Sequence, residues 1–167
     1  MQEMMDFHSH ILPGADDGSR SVEESLAMLK MAAEQGVRHM VATPHFYAHH
    51  DDPAAFLERR AEAWQRLAEA MTRQPGLPDI SLGAEVYFFR GISQSDVMED
   101  LIIQGTRCLL VEMPESPWTD LMSPRLSFSL YVTLVWRRLW NTTSGRLFSS
   151  ISFANLLWML PVPIGIP

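Results

Sequence analysis

The sequence holds a single cysteine, Cys108, which excludes a disulfide framework and any zinc site built from several cysteines. No apolar run comes near the roughly 20 residues that a membrane span requires. The N-terminus, Met1-Gln2-Glu3-Met4-Met5-Asp6, lacks a basic region ahead of an apolar stretch, so no secretory signal is expected and a cytoplasmic protein is the default. Basic residues are few: 13 Lys+Arg against 20 Asp+Glu give a net charge of −7. Phosphate backbones are bound by basic surfaces, which excludes nucleic acid as the main partner.

Acidic residues are missing altogether from 121–167. All 20 lie in the first 120 residues beside nine of the 13 basic ones, so that part carries −11 and the remainder, with four arginines, +4. The composition therefore predicts two parts, residues 1–120 and an apolar tail, 121–167, rich in Ser, Trp and Arg. The tail lacks acidic first turns and has few helix stops. It reads as foreign to the first part, as out-of-frame sequence after a truncation would be. Trp136, Trp140 and Trp158 would let it adhere to a membrane surface or a partner. The whole, 167 residues with 47% hydrophobic and 20% charged, is an ordinary globular composition.

The first part alternates between strand-like and helix-like stretches. Residues 4–11 form a short apolar run interrupted by Asp6, His8 and His10 and ended by Pro13-Gly14. Ser21 and Glu24 read as a capping box; Val22, Leu26, Leu29 and Ala33 follow at helical spacing, and Gly36 stops the helix. Residues 37–43 (VRHMVAT) are a second strand closed by Pro44-His45. Asp52-Pro53 starts a long helix reaching about residue 74, with Phe56, Ala63, Leu67 and Ala70 on its apolar face. Residues 80–88 read as a third strand, 95–104 as a third helix and 107–113 as a fourth strand. The order over 4–115 is βαβαβαβ. Such alternation implies an α/β class with parallel pairing and right-handed crossovers, which suits a (β/α) barrel.

The ionisable residues gather at one end of this map. His8 and His10, two residues apart on a strand, share a face. Asp16 and Asp17 follow in the next loop, and His45 stands just past the second strand. Glu85 lies in the later half of the third strand and Glu112 at the end of the fourth. Four consecutive strands thus deliver a His or a carboxylate to the end where α/β barrels build active sites. Glu85 and Glu112 interrupt apolar strands, where a carboxylate needs a cation or donors to hold it. Mixed imidazole and carboxylate donors suit Mn²⁺, Zn²⁺ or Fe²⁺ better than Ca²⁺ or Mg²⁺ alone. His39 and His49-His50 lack this placement and are expected to be structural or exposed; Cys108 is expected to be a buried strand residue.

These residues resemble successive motifs of a known family. His8-Ser-His10-Ile-Leu-Pro-Gly-Ala-Asp-Asp17-Gly18, Ala42-Thr43-Pro44-His45, Gly83-Ala84-Glu85-Val86 and Leu109-Leu110-Val111-Glu112-Met113-Pro114 are similar to motifs of the PHP (polymerase and histidinol phosphatase) superfamily. The nearest branch is its bacterial manganese-dependent protein-tyrosine phosphatases, associated with capsule and exopolysaccharide synthesis. The resemblance implies a partial, distorted (β/α) barrel over residues 4–115, with 1–120 as an N-terminal half-barrel. It implies a metal-dependent phosphoester hydrolase holding up to three ions, Mn²⁺ first, with Zn²⁺, Fe²⁺ or Mg²⁺ as alternatives. The ligands it implies are His8, His10, Asp17, His45, Glu85 and Glu112, with Glu85 bridging two ions and no catalytic residue beyond the ligands. Its implied substrate is a phosphotyrosine protein, such as a membrane-bound tyrosine kinase of polysaccharide synthesis.

Family members carry further ligands after the fourth strand, a His in an Ala-His-Pro-Glu-Arg-like stretch and an Asp-x-His pair. Residues 116–167 hold no histidine and, past Asp120, no acid, so impaired activity is expected of this chain. The alternatives are another PHP phosphoesterase, such as a histidinol-phosphate phosphatase, or a non-catalytic metal-binding half-barrel fragment. An amidohydrolase barrel also opens on His-x-His but commonly bridges its metals with a carboxylated lysine, and the sole lysine, Lys30, lies inside the first helix. The cysteine-phosphatase motif needs an arginine six residues after its cysteine, where Pro114 stands.

Overall fold

Caps and apolar runs set the elements: β1 (Met4–Ser9), α1 (Val22–Glu34), β2 (Val37–Ala42), β3 (His45–Phe46), α2 (Pro53–Met71), β4 (Asp79–Leu82), β5 (Glu85–Tyr87), α3 (Met98–Leu101), β6 (Cys108–Glu112) and β7 (Tyr131–Val135). The structure, a computed structural model, describes residues 4–90, 92 and 95–112, and the backbone of 131–135. At the start of α1, Ser21 Oγ accepts the Glu24 N–H at 3.2 Å, while the Glu24 carboxylate accepts the Arg20 N–H at 2.8 Å. Gly36 then leaves the helix at φ 90°, a conformation that costs glycine little. Asp52 caps α2 by accepting the Ala55 N–H at 2.9 Å, with Pro53 at the first helical position.

All strand pairings are parallel, in two sheets ordered β1-β2-β4 and β3-β5-β6-β7. The sequence suggests unbroken strands over 37–43 and 80–88, but each is divided. Pro44 has no N–H to give a ladder. At Gly83 the backbone passes so close to Ile103 that an added Cβ would lie 3.1 Å from Ile103 Cγ1. The two breaks fall side by side, because Ala42 pairs with Leu82 before them and His45 with Glu85 after them. Backbone bonds cross the gap: Thr43 N–H to Ser9 O at 2.8 Å, Gly83 N–H to Ala42 O at 2.9 Å and Glu85 N–H to Pro44 O at 3.0 Å.

Each sheet has its own apolar core. Leu26, Leu29, Met40, Ala42 and Leu82 belong to the first, and Phe46, Val86, Leu101, Leu109 and Val111 to the second. Helix α2 serves both, with Ala63 and Leu67 in the first core and Phe56 in the second. Its arginines hold the loops around it: Arg59 Nε donates to Ala15 O (3.0 Å), Arg66 to Pro13 O (2.8 Å), and Arg60 to Gly83 O and Asp100 O (both 2.9 Å).

The third helix is much shorter than the sequence suggests over 95–104. Ile102 is extended at ψ 157°, and Ile103 and Gln104 give their N–H groups to Cys108 O (2.9 Å) and Leu82 O (2.8 Å) instead of to a helix. Cys108 opens β6 and is half-buried rather than buried, because the strand's first residue is not yet covered. The junction near residue 120 and the tail lie outside the described residues, as do Arg125, Trp136, Trp140 and Trp158. The one exception is β7, whose backbone pairs in parallel with β6 from Cys108↔Tyr131 to Glu112↔Val135, a strand the composition did not suggest. Among the described residues no helix is long and apolar enough to cross a membrane.

Phe56 is the pivot of α2, 1% exposed, edge-on to Phe46 at 5.1 Å and flanked by the Arg59 and Arg60 guanidinium groups at 5.5 Å. Replacing it with alanine is expected to destabilise the protein by about 3–5 kcal/mol, and Asp52→Ala by about 1 kcal/mol, in urea unfolding. A Phe56→Ala midpoint matching that of the parent would show that α2 does not anchor the second sheet.

Candidate metal centre

Strand order brings the ionisable residues to the level of the two breaks. His8 lies near the end of β1 and His10 just beyond it; His45 opens β3, Glu85 opens β5 and Glu112 ends β6. Glu85 and Glu112 are 3% and 5% exposed, and such burial must be compensated. The compensation is concentrated on one atom. Glu85 Oε2 lies 2.9 Å from His8 Nε2, 3.2 Å from His10 Nε2 and 3.3 Å from His45 Nδ1. His8 Nε2 and His10 Nε2 are themselves 3.0 Å apart. His45 Nδ1 also lies 3.6 Å from Glu112 Oε2, and its Nε2 lies 3.7 Å from Asp17 Oδ1. Asp17 is the most exposed of the six residues and the most loosely placed.

These contacts define three groups able to hold an ion: His8 with His10 and Glu85; His10 with Asp17 and His45; His45 with Glu85 and Glu112. The donor set fits such a role. Two imidazole nitrogens facing each other at 3.0 Å can share at most one proton, and buried His45 Nδ1 has no hydrogen bond. Donors bound to one cation at about 2.0–2.2 Å lie roughly 3 Å apart, which is the spacing seen here.

Burial disfavours charge on His10, but the hydrogen-bonded carboxylates of Asp16 and Glu85 outweigh it and push its pKa up to about 10. Burial would raise the pKa of Glu85, yet hydrogen bonds from His10 and His8 bring it down to about 2. Asp6, also half-buried, accepts the His8 N–H at 3.1 Å, and burial raises its pKa.

One residue of the site was not singled out by the sequence pattern. Asp16 Oδ2 accepts from His10 Nδ1 at 2.6 Å and from the His45 N–H at 3.0 Å, while Oδ1 accepts from the Gly18 N–H at 3.0 Å. Burial opposes its charge, but these donors, His10 first, hold its pKa below the usual carboxylate value. It lies in an irregular loop, where no periodicity marks which of two neighbouring aspartates turns inward. Gly18 completes the turn: an added Cβ there would overlap His10 Cβ and the His10 carbonyl. His39 stands apart from the site, bonded across to Ser81 Oγ at 2.9 Å, and His49 and His50 are exposed.

Comparison with known proteins agrees with this architecture. Tyrosine-protein phosphatase YwqE of Bacillus subtilis is 32% identical over 114 residues, 66% of this chain and 43% of its own length. Tyrosine-protein phosphatase CpsB of Streptococcus pneumoniae is 36% identical over 110 residues, 65% of this chain and 44% of its own. A solved chain from the crystal structures of these two proteins, described as unique metal-dependent tyrosine phosphatases, superposes with a TM-score of 0.58 at 28% identity. It covers 70% of this chain and 47% of that one. The chain thus spans less than half the length of these relatives. The family model for capsular polysaccharide synthesis, CpsB/CapC, matches residues 4–127, and the chain belongs to that family.

Proposed function

We propose that this chain carries the metal-binding part of a metal-dependent protein-tyrosine phosphatase acting in capsule or exopolysaccharide synthesis. The observation that carries the reading is the single buried oxygen, Glu85 Oε2, facing three imidazoles. In it the two sheets belong to the first part of a distorted (β/α) barrel, with 1–120 as the half-barrel and β7, from 121–167, paired at its edge. The substrate is a phosphotyrosine protein, such as a membrane-bound tyrosine kinase, met from the cytoplasm.

His8, His10, Asp17, His45, Glu85 and Glu112 would hold the ions, with Glu85 shared between two groups; the mixed nitrogen and oxygen donors suit Mn²⁺, Zn²⁺ or Fe²⁺, and the family resemblance puts Mn²⁺ first. When bound, the ions supply Lewis acidity toward the phosphoryl oxygens and lower the pKa of an attacking water. Asp16 accepts the Nδ1 proton of His10 and would so leave the Nε2 lone pair for an ion. Ser9 Oγ, donating to Val41 O at 2.7 Å, fixes the strand between His8 and His10. Cys108 takes no part: it lies four residues before Glu112 on β6, roughly 13 Å along the strand.

Hydrolysis of para-nitrophenyl phosphate is expected to require added Mn²⁺ and to vanish with EDTA or in the His8→Ala, His10→Ala double variant. Because residues 116–167 add no histidine, turnover should fall at least about 10²-fold below that of a full-length relative. Activity surviving EDTA would refute the metal mechanism. Calorimetric titration with Mn²⁺ tests the supporting residues: Asp16→Ala and Gly18→Ala should each weaken binding roughly 10–100-fold while the circular dichroism stays that of the parent. Unchanged affinity in Asp16→Ala would remove that residue from the site.

A further inference from the structure

His45 enters two of the three groups able to hold an ion, yet its contacts within the cluster are the longest. Its Nδ1 lies 3.3 Å from Glu85 Oε2 and 3.6 Å from Glu112 Oε2, and its Nε2 lies 3.7 Å from Asp17 Oδ1. A histidine that ligates metal is ordinarily oriented through a hydrogen bond at its other ring nitrogen, as Asp16 orients His10 at 2.6 Å. His45 has no nitrogen left for that, because both face carboxylates of the cluster. Two other supports stand beside it. Its backbone N–H donates to Asp16 Oδ2 at 3.0 Å, and the Tyr47 ring stacks on its own at 5.3 Å with 25° between the planes.

These supports sit on different loops. Asp16 lies between β1 and α1, and Tyr47 opens the segment between β3 and α2. One side chain of α2 reaches both. Arg59 Nε donates at 3.0 Å to Ala15 O, the carbonyl of the peptide that leads into Asp16. A terminal nitrogen of the same guanidinium donates to Asp51 Oδ1 at 3.3 Å, and Asp51 Oδ2 accepts the Tyr47 N–H at 2.8 Å. The guanidinium rests 5.5 Å from the centre of the Phe56 ring, which is 1% exposed, so the fork starts from a fixed surface. Its planar shape aims the two N–H groups in set directions, which a lysine ammonium does not do. The Arg59 side chain is 39% exposed, so its ion pair with Asp51 adds little stability. Its consequence is geometric.

Resting on the reading of the cluster as a metal centre, we propose that Arg59 is a positioning residue for His45. By tying the Asp16 loop to the Tyr47 loop, it holds the His45 backbone and ring between two fixed supports. The ring is thereby kept facing Glu85, Glu112 and Asp17 without a hydrogen bond of its own to orient it.

Amide hydrogen exchange of the metal-free chain and calorimetric titration with Mn²⁺ test this role. In Arg59→Ala the His45 and Tyr47 amides are expected to exchange at least about threefold faster, while those of Met40 and Val41 in β2 keep the parent's rates. Mn²⁺ affinity is expected to fall at least about threefold. Asp51→Ala, which cuts only the Tyr47 arm, should speed exchange at Tyr47 and weaken Mn²⁺ binding in the same direction. In a His45→Ala background, adding Arg59→Ala should cost much less affinity than it does in the parent, because the residue it acts through is gone. Affinity unchanged in both Arg59→Ala and Asp51→Ala, or lowered by Arg59→Ala equally with and without His45, would overturn the positioning role and leave the metal centre standing. A parent chain that binds no Mn²⁺ would overturn the reading of the cluster and the role of Arg59 with it.

Discussion

A carboxylate that is 3% exposed cannot be left without positive charge or donors, and Glu85 is the point on which the rest of this structure depends. Its partners come from both sheets: His8 and His10 from the end of β1, and His45 from the start of β3. Removing any one leaves the others facing an incompletely compensated charge, and breaking such a buried pair costs more than forming it gained. The arrangement therefore joins the sheets and makes the site, through the same atom. The carboxylates of Asp16 and Glu85 push the pKa of His10 up to about 10, so its charged form stands against both.

The broken strands keep one register. The ladder stops at Thr43-Pro44 and at Gly83-Ala84, with Ala42 opposite Leu82 before the gap and His45 opposite Glu85 after it. The cost is small, because three backbone bonds of 2.8–3.0 Å cross the gap. Buried Thr43 helps close it, its hydroxyl accepting the Ser9 N–H at 3.2 Å.

Much of this was legible in the sequence wherever a local rule had one outcome. The capping box at Ser21-Glu24, the Asp52-Pro53 start and the parallel order of strands each follow from chemistry within a few residues. The positions of His8, His10 and Glu112 near strand ends could likewise be counted off, whereas Glu85, expected in the later half of a strand over 80–88, opens β5. What escaped depended on contacts between distant segments. No local pattern says that Ile103 and Gln104 will bond to β6 and β4 and so cut α3 short. None says that Asp16 rather than Asp17 will turn inward, since both precede the same glycine; the distinction lies in the His45 N–H, 29 residues away. Tyr47 and Tyr87, 40 residues apart, come together only through the β3–β5 pairing.

Charge closes the argument about how such a chain meets a phosphoester. The first 120 residues carry −11, and a phosphate ester is itself an anion. Three arginines near the site lie on α2, yet Arg59, Arg60 and Arg66 donate to the carbonyls of Ala15, Gly83, Asp100 and Pro13. Arg60, its pKa lowered by burial, faces the break beside Glu85 as a clamp on backbone. These guanidinium groups fix the loops that carry Asp16 and Glu85. With these three arginines so committed, the ions that His8, His10, His45 and their carboxylates would hold supply positive charge at the site itself to draw an anion there.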